Sequence, residues 1–291
     1  MGSLVGHTVP GILAVIIGVW WTISILRRYY LCVRVCGGGG GSNEGVCVEA
    51  GTSLYRNTSS FPCPCLSRLP VEGFIKVIIV IIGVIGELTT AFENGQIVNL
   101  VNIQHLTIYT FFGVNGIMDV LCHYRVPLPP SMDYVSGGLA FTMEALVFVY
   151  HLHARTPMDV QVHMLLVYTV CGCVVAVAAE SVYRSSVVVA LARCYFVLLQ
   201  GTWLIYVGFL LYPPAGMDKW DEHGPRNMMI VTVIFCCHNA LVFLFMLMVN
   251  WAMYLLTRRL PPHALYRAIR AVHTTQQFDD LNIDVRNFIE L

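Results

Sequence analysis

The chain has 291 residues, of which 57% are hydrophobic and 12% charged, against about 25% charged in an ordinary soluble domain. With a mean hydropathy of +0.69 it reads as an integral membrane protein. Seventeen basic residues balance seventeen acidic ones, so no nucleic-acid partner is expected and function has to be sought in where the few polar side chains fall.

Seven stretches are long enough to cross a hydrocarbon core, which takes about 20 mainly apolar residues: 9–30, 71–91, 100–123, 133–154, 158–183, 187–211 and 227–257. The expected fold is an all-α, seven-transmembrane-helix bundle, with residues 1–257 as the membrane domain and 258–291 as a tail. Pro10 is suitably placed near the start of the first helix. With no basic run before it and a long apolar stretch, that helix reads as retained and not as a signal peptide. Residues 32–68 change character, with glycines from Gly37 to Gly41 and then Ser, Asn, Thr and Pro. Nothing there suggests a core, so the segment is expected to be a flexible loop. Its sequon, Asn57-Thr58-Ser59, is usable only on the lumenal side. Neither a disulfide framework nor a structural zinc site is read from the cysteines.

Charge sets the orientation. Arg155, Lys219 and Arg226 lie in the N-terminal and alternate connections, whereas Arg27, Arg28, Arg34, Arg56, Arg68, Arg125, Arg184, Arg258, Arg259, Arg267, Arg270 and Arg286 lie in the others. By the positive-inside rule the N-terminus is outside or lumenal and the C-terminus cytosolic, which leaves the sequon silent. Leu265, Ala268, Ile269 and Val272 share a face, so the tail reads either as a helix on the membrane surface or as a solvated segment. Trp20, Trp21, Tyr29 and Tyr30, with Trp251 and Tyr254, fit interfacial aromatic belts.

Polar residues inside apolar helices are costly and mark function or packing. Glu144 and His151, seven residues apart, lie on one helical stripe, and the turn at Pro157 brings His163 back beside His151. Glu87, His105, His151 and His163 fall near the outer ends of their helices, Glu144 and His238 deeper, and His7 just above. In the sixth helix Arg193 and Gln200 share a face; Asp119, Glu180 and Arg193 lie toward the cytosolic half, where an ion pair involving Arg193 is a structural reading. His7, Glu87, His105, Glu144, His151, His163, Gln200 and His238 are the candidate lining of an outward-facing cavity. His105, His163 and His238 have the ligand types for zinc or another borderline metal, and Glu144 is the candidate catalytic base of a hydrolase. The alternative is that each histidine bonds a neighbour and locks helices together. Gly83 with Gly86, and Gly113 with Gly116, read as close-packing positions.

Several of these residues carry a likeness. Gly6-His7 with Pro10-Gly11, Gln104-His105 with Thr107, Tyr109 and Phe111-Phe112, and Met143-Glu144 with Tyr150-His151-Leu152-His153-Ala154-Arg155 recur in order with His163-Met164-Leu165-Leu166, Glu180, Leu198-Leu199-Gln200-Gly201-Thr202-Trp203, Pro213-Pro214, Trp220-Asp221 and His238. On these the chain resembles the transmembrane protein 45 family, grouped under a domain of unknown function. The resemblance implies a seven-helix protein of endomembranes, Golgi or endoplasmic reticulum, or of the plasma membrane, and no established reaction. It departs across residues 32–68, at Ile103 where tryptophan is expected, and at Cys237.

The leading expectation is a non-enzymatic membrane protein that binds a metal ion, a proton or a small lipid in the His/Glu cavity. An intramembrane metal-dependent lipid hydrolase is the second, by analogy alone, and a structural bundle without ligand the third. The lipid bilayer is the one partner the sequence names.

Overall fold

The computed structural model describes residues 3–37, 55–63, 66, 69–93, 96–153 and 155–261. Among them are seven helices: α1 (Leu4–Gly37), α2 (Val71–Ala91), α3 (Leu100–His123), α4 (Met132–Tyr150), α5 (Pro157–Val182), α6 (Val187–Leu211) and α7 (Pro225–Arg258). A two-residue antiparallel pair, β1 (Phe92–Glu93) with β2 (Gln96–Ile97), joins α2 to α3, with Phe92 opposite Ile97 and Glu93 opposite Gln96.

Local chemistry explains the helix boundaries. Thr156 caps α5 by accepting from the Asp159 N–H at 3.3 Å, Pro157 takes the first helical position and Asp159 lies in the first turn. Ser186 caps α6 by accepting from the Val189 N–H at 3.4 Å. α1 begins before the point that Pro10 suggests, because Ser3 Oγ accepts from the Gly6 N–H at 2.9 Å and starts the helix a turn and a half earlier. Pro10 is therefore an interior residue.

Consecutive helices from α2 to α6 each pack on the next, α1 lies along α6, and α7 covers α1, α6 and α5. Backbone approaches backbone between α1 and α6. A Cβ on Gly11 would stand 2.8 Å from the Gly201 carbonyl oxygen, and one on Gly201 would stand 2.8 Å from the Gly11 carbonyl oxygen, so backbone meets backbone there as small residues permit in lipid. α2 and α3 cross where Gly73 faces Gly116, and Gly83 and Gly113 admit Tyr109 and Val80; Gly86 meets nothing.

Six helices, α1, α2, α4, α5, α6 and α7, are long and apolar enough to cross a membrane. α3 is long enough at 24 residues, but Asn102, Gln104, His105, Asn115 and Asp119 make it too polar to stand with them. Ile78, Ile81, Ile82 and Ile85 of α2 and Leu241, Leu244, Leu247 and Met248 of α7 form exposed apolar bands. Such bands need lipid, since the hydrophobic effect disfavours that much apolar surface in water.

One expectation changes. Within residues 32–68, the described part from Tyr55 to Phe61 is no loose loop: Tyr55 and Asn57 are each 1% exposed and Thr58, Ser59 and Phe61 are buried. The segment stays because its carbonyls have a cation to bind: Arg193 donates to Ser59 O at 3.0 Å and to Thr58 O at 3.3 Å. Asn57 donates to Ser186 O at 2.9 Å, so its amide is turned inward. Trp20 and Trp21 both donate their indole N–H groups to Glu72 in the first turn of α2, at 3.0 and 2.8 Å. The glycines beyond Gly37, Cys47, Cys65 and the tail face Leu265 to Val272 lie outside the described residues.

Candidate functional site

The up-and-down order of the helices puts the start of α1, the end of α2, the start of α3, the end of α4 and the start of α5 at one end of the bundle. Each contributes a polar residue there. Four imidazoles stand in a row: His7 and His163 rings are 5.7 Å apart, His163 and His151 6.2 Å, and His151 and His105 5.6 Å. Glu87 closes the row, its Oε1 lying 3.1 Å from His105 Nδ1.

The hydrogen bonds assign the tautomers. His7 Nδ1–H donates to Ser3 O at 2.9 Å, and His105 Nδ1–H to Glu87. His163 Nδ1–H donates to Asp159 O at 2.9 Å. Asp159 Oδ1 lies only 2.7 Å from the same nitrogen, yet it has no directed hydrogen bond, because the ring N–H points at the carbonyl. In all three rings Nε2 is the nitrogen left without a hydrogen-bond partner among the described residues.

His151 differs. Its Nδ1–H donates to Gln104 Oε1 at 2.7 Å, and Arg155 Nη2 donates to its Nε2. Burial first, and then the Arg155 charge beside it, holds the ring far below the ordinary imidazole range, at about 3. Arg155 is itself fixed by Asp159 Oδ2 at 2.8 Å and by His151 O at 3.0 Å. Across the row, Tyr212 packs its ring 5.3 Å from His7, and burial raises its phenol above the usual range. Thr156 donates to Glu222 at 2.6 Å, tying the α6–α7 connection over this end.

The other predicted residues are elsewhere. His238 lies against Trp203 at 5.5 Å and Tyr206 at 5.4 Å between centroids, so it is not brought to His105 and His163. Glu144 is 6% exposed in mid-bundle, where its Oε1 accepts from Gln200 Nε2 at 2.7 Å and no imidazole among the described residues bonds to it. Among the described residues, no three His, Cys, Asp or Glu side chains are placed to hold a metal ion. Sequence reasoning missed Gln104, Arg155 and Asp159 as members of this network. The spacing of Arg155 and Asp159, four apart across the Thr156-Pro157 helix start, was the available signal.

At the opposite end the buried full charges are paired. Arg193 Nε donates to Glu180 Oε2 at 2.7 Å, Tyr134 donates to Glu180 Oε1 at 3.2 Å, and Arg193 lies 4.2 Å from the Trp21 ring centroid. Lys76 meets Asp119 at 2.6 Å and Glu72 at 3.1 Å. A small recess here is lined by Arg28, Ser59, Glu72, Asp119, Cys122 and Asp133.

Comparison with known proteins adds the following. Residues 130–251, from the start of α4 into α7, match a family described as a family of unknown function (DUF716). Transmembrane epididymal protein 1 of Rattus norvegicus is 24% identical over 259 residues, which are 84% of this chain and 79% of the relative. Transmembrane epididymal protein 1A of Mus musculus is 22% identical over the same shares. Transmembrane epididymal protein 1 of Homo sapiens is 26% identical over 137 residues, 46% of this chain and 50% of that protein. With its long apolar helices, the chain is thus a multi-pass membrane protein similar to the transmembrane epididymal proteins and, over its second half, to a family of unknown function.

Proposed function

We propose that the imidazole end of the bundle is a ligand site that works through unprotonated ring nitrogens, and that a zinc-type transition-metal ion is the ligand its donors favour. One observation carries this reading: His7, His105 and His163 each commit Nδ1 to an oxygen acceptor and leave Nε2 without a hydrogen-bond partner among the described residues. A backbone or carboxylate oxygen on the far nitrogen is what orients an imidazole toward a metal. The carboxylates of Glu87 and Asp159 supply balancing negative charge. His151 stands outside the donor set because Arg155 occupies its Nε2. As they stand, no three of these groups are placed for a metal ion, so binding requires His7, His105 and His163 to move together past His151, whose ring stands between those of His163 and His105. The protein is read as a binder and not a hydrolase, since Glu144 is engaged by Gln200 instead of an imidazole.

α3 is read as a seventh span. Its polar side chains are taken up by neighbours: Asn102 donates to Thr90 at 2.5 Å, His105 meets Glu87, Asn115 donates to Ser136 at 3.1 Å, and Asp119 meets Lys76. The distribution of arginines then places the imidazole end on the outer or lumenal side.

Elemental analysis and zinc titration of the purified protein test the proposal. Wild type and His238→Ala are expected to hold one metal ion, and His105→Ala and His163→Ala to lose it. A wild type that contains no metal and takes up none at micromolar zinc overturns the reading.

A further inference from the structure

The carboxylates other than Glu144 that are held wholly or partly inside this bundle come with a partner that bears, or can bear, positive charge. Glu180 has Arg193, Asp119 and Glu72 share Lys76, Asp159 has Arg155, and Glu87 has His105. Glu144 has none among the described residues. Its Oε1 accepts one hydrogen bond, from Gln200 Nε2 at 2.7 Å, and its buried Oε2 has no partner. Cys173 Sγ, 3.6 Å from Gln200 Oε1, fixes the amide so that its NH₂ faces the carboxyl group.

The surroundings offer no compensating charge. From α3, His105 is engaged by Glu87, Tyr109 lies on Gly83 and Asp119 is engaged by Lys76, while Phe112 packs edge-on against Phe141, three residues before Glu144. α5 presents Cys173. α6 presents Gln200, and its Arg193 is bonded to Glu180. An ionised carboxylate here would be desolvated with a single neutral donor. Such a charge is costly in a low-dielectric interior. The protonated acid has no net charge to bury, and the Gln200 bond suits it, because a carbonyl-type Oε1 accepts while Oε2 carries the proton.

We propose that Glu144 is a proton-binding site inside the membrane, with Gln200 and Cys173 as positioning residues, and that it holds an exchangeable proton in the resting protein. This assignment does not depend on what the imidazole end binds. Its ligand is the proton itself, and taking up or losing it switches the centre of the bundle between a neutral and a charged state.

Infrared spectroscopy of the whole protein in lipid vesicles tests this, because a protonated carboxyl has a carbonyl stretch well separated from that of a carboxylate. Near neutral pH the wild type is expected to show a buried-acid band that shifts in heavy water, disappears reversibly on alkalinisation and is lost in Glu144→Gln. Glu144→Asp, which keeps an acid at this position, should restore the band at a changed frequency, and it makes the assignment should the glutamine variant fail to fold. Gln200→Leu should move the frequency by removing the donor to Oε1. Absence of an acid band in the folded wild type, its survival in both Glu144 variants, or a band that never responds to pH while the helices stay intact would each overturn the proposal.

Discussion

At one end of the bundle Arg193 and Lys76 meet Glu180, Asp119 and Glu72, with Tyr134, two tryptophans and the carbonyls of Thr58 and Ser59 around them. At the other end four imidazoles stand in a row and three leave Nε2 without a hydrogen-bond partner among the described residues. Both ends bury polar groups, but the first is built on ion pairs and the second on imidazoles. Full charges in a low-dielectric interior must be paired, since breaking a buried pair leaves an uncompensated ion. Neutral imidazoles carry no such demand and can stay half-satisfied. Permanent charges therefore serve cohesion here, and the imidazoles are the groups on which the proposed ligand site rests.

That contrast is broken most severely from the ion-paired end. Arg193→Met should destabilise by about 3–5 kcal/mol, because Glu180 is 0% exposed and loses its guanidinium partner; unfolding in detergent followed by circular dichroism measures it. Lys76→Met should follow with a smaller loss, since the lysine side chain is 11% exposed and water replaces part of the pairing. Gly201→Ala, which drives a methyl group to within 2.8 Å of the Gly11 carbonyl oxygen, should cost about 1–3 kcal/mol by overpacking in the same assay. His238→Phe should cost under about 1 kcal/mol, because the ring contacts to Trp203 and Tyr206 survive the change.

The smallest effect is a pH slope at the imidazole end. His151 titrates at about 3 when folded, against an ordinary value of 6.5. Between these values the unfolded chain binds a proton that the folded chain refuses. Stability should thus be flat in this ring's contribution above about pH 6.5 and fall as pH drops below it. His151→Gln should flatten that part of the curve, as read from melting temperature against pH.

Much of this was legible beforehand, for physical reasons. α2, α3 and α6 were readable to the residue, because Pro70, the polar run before Leu100 and the Ser186 cap mark their starts. The return of His163 beside His151 follows from Pro157, and an ion pair involving Arg193 from its lying with Asp119 and Glu180 toward one end of the helices. His238 and Glu144 were misplaced relative to the imidazoles because depth along a helix is readable from residue number, whereas azimuth depends on which neighbour each helix chooses. The pairing of α1 with α6 is of that kind. Nothing local in residues 55–61 announces burial either; those polar side chains and carbonyls acquire a reason to be inside only when Arg193 and Ser186 from α5–α6 are in place.

The Gly11–Gly201 crossing bears on biosynthesis. Ribosomes deliver α1 to the bilayer before α6, and its chief contact surface is made some 190 residues later in the same chain. Between those moments the N-terminal helix has to wait among lipids with a bare glycine groove while the hairpins from α2 to α5 close beside it. Its capture by α6 is accordingly a late event, and the stage at which a nascent bundle is most open to chaperones, to quality control or to a mistaken partner.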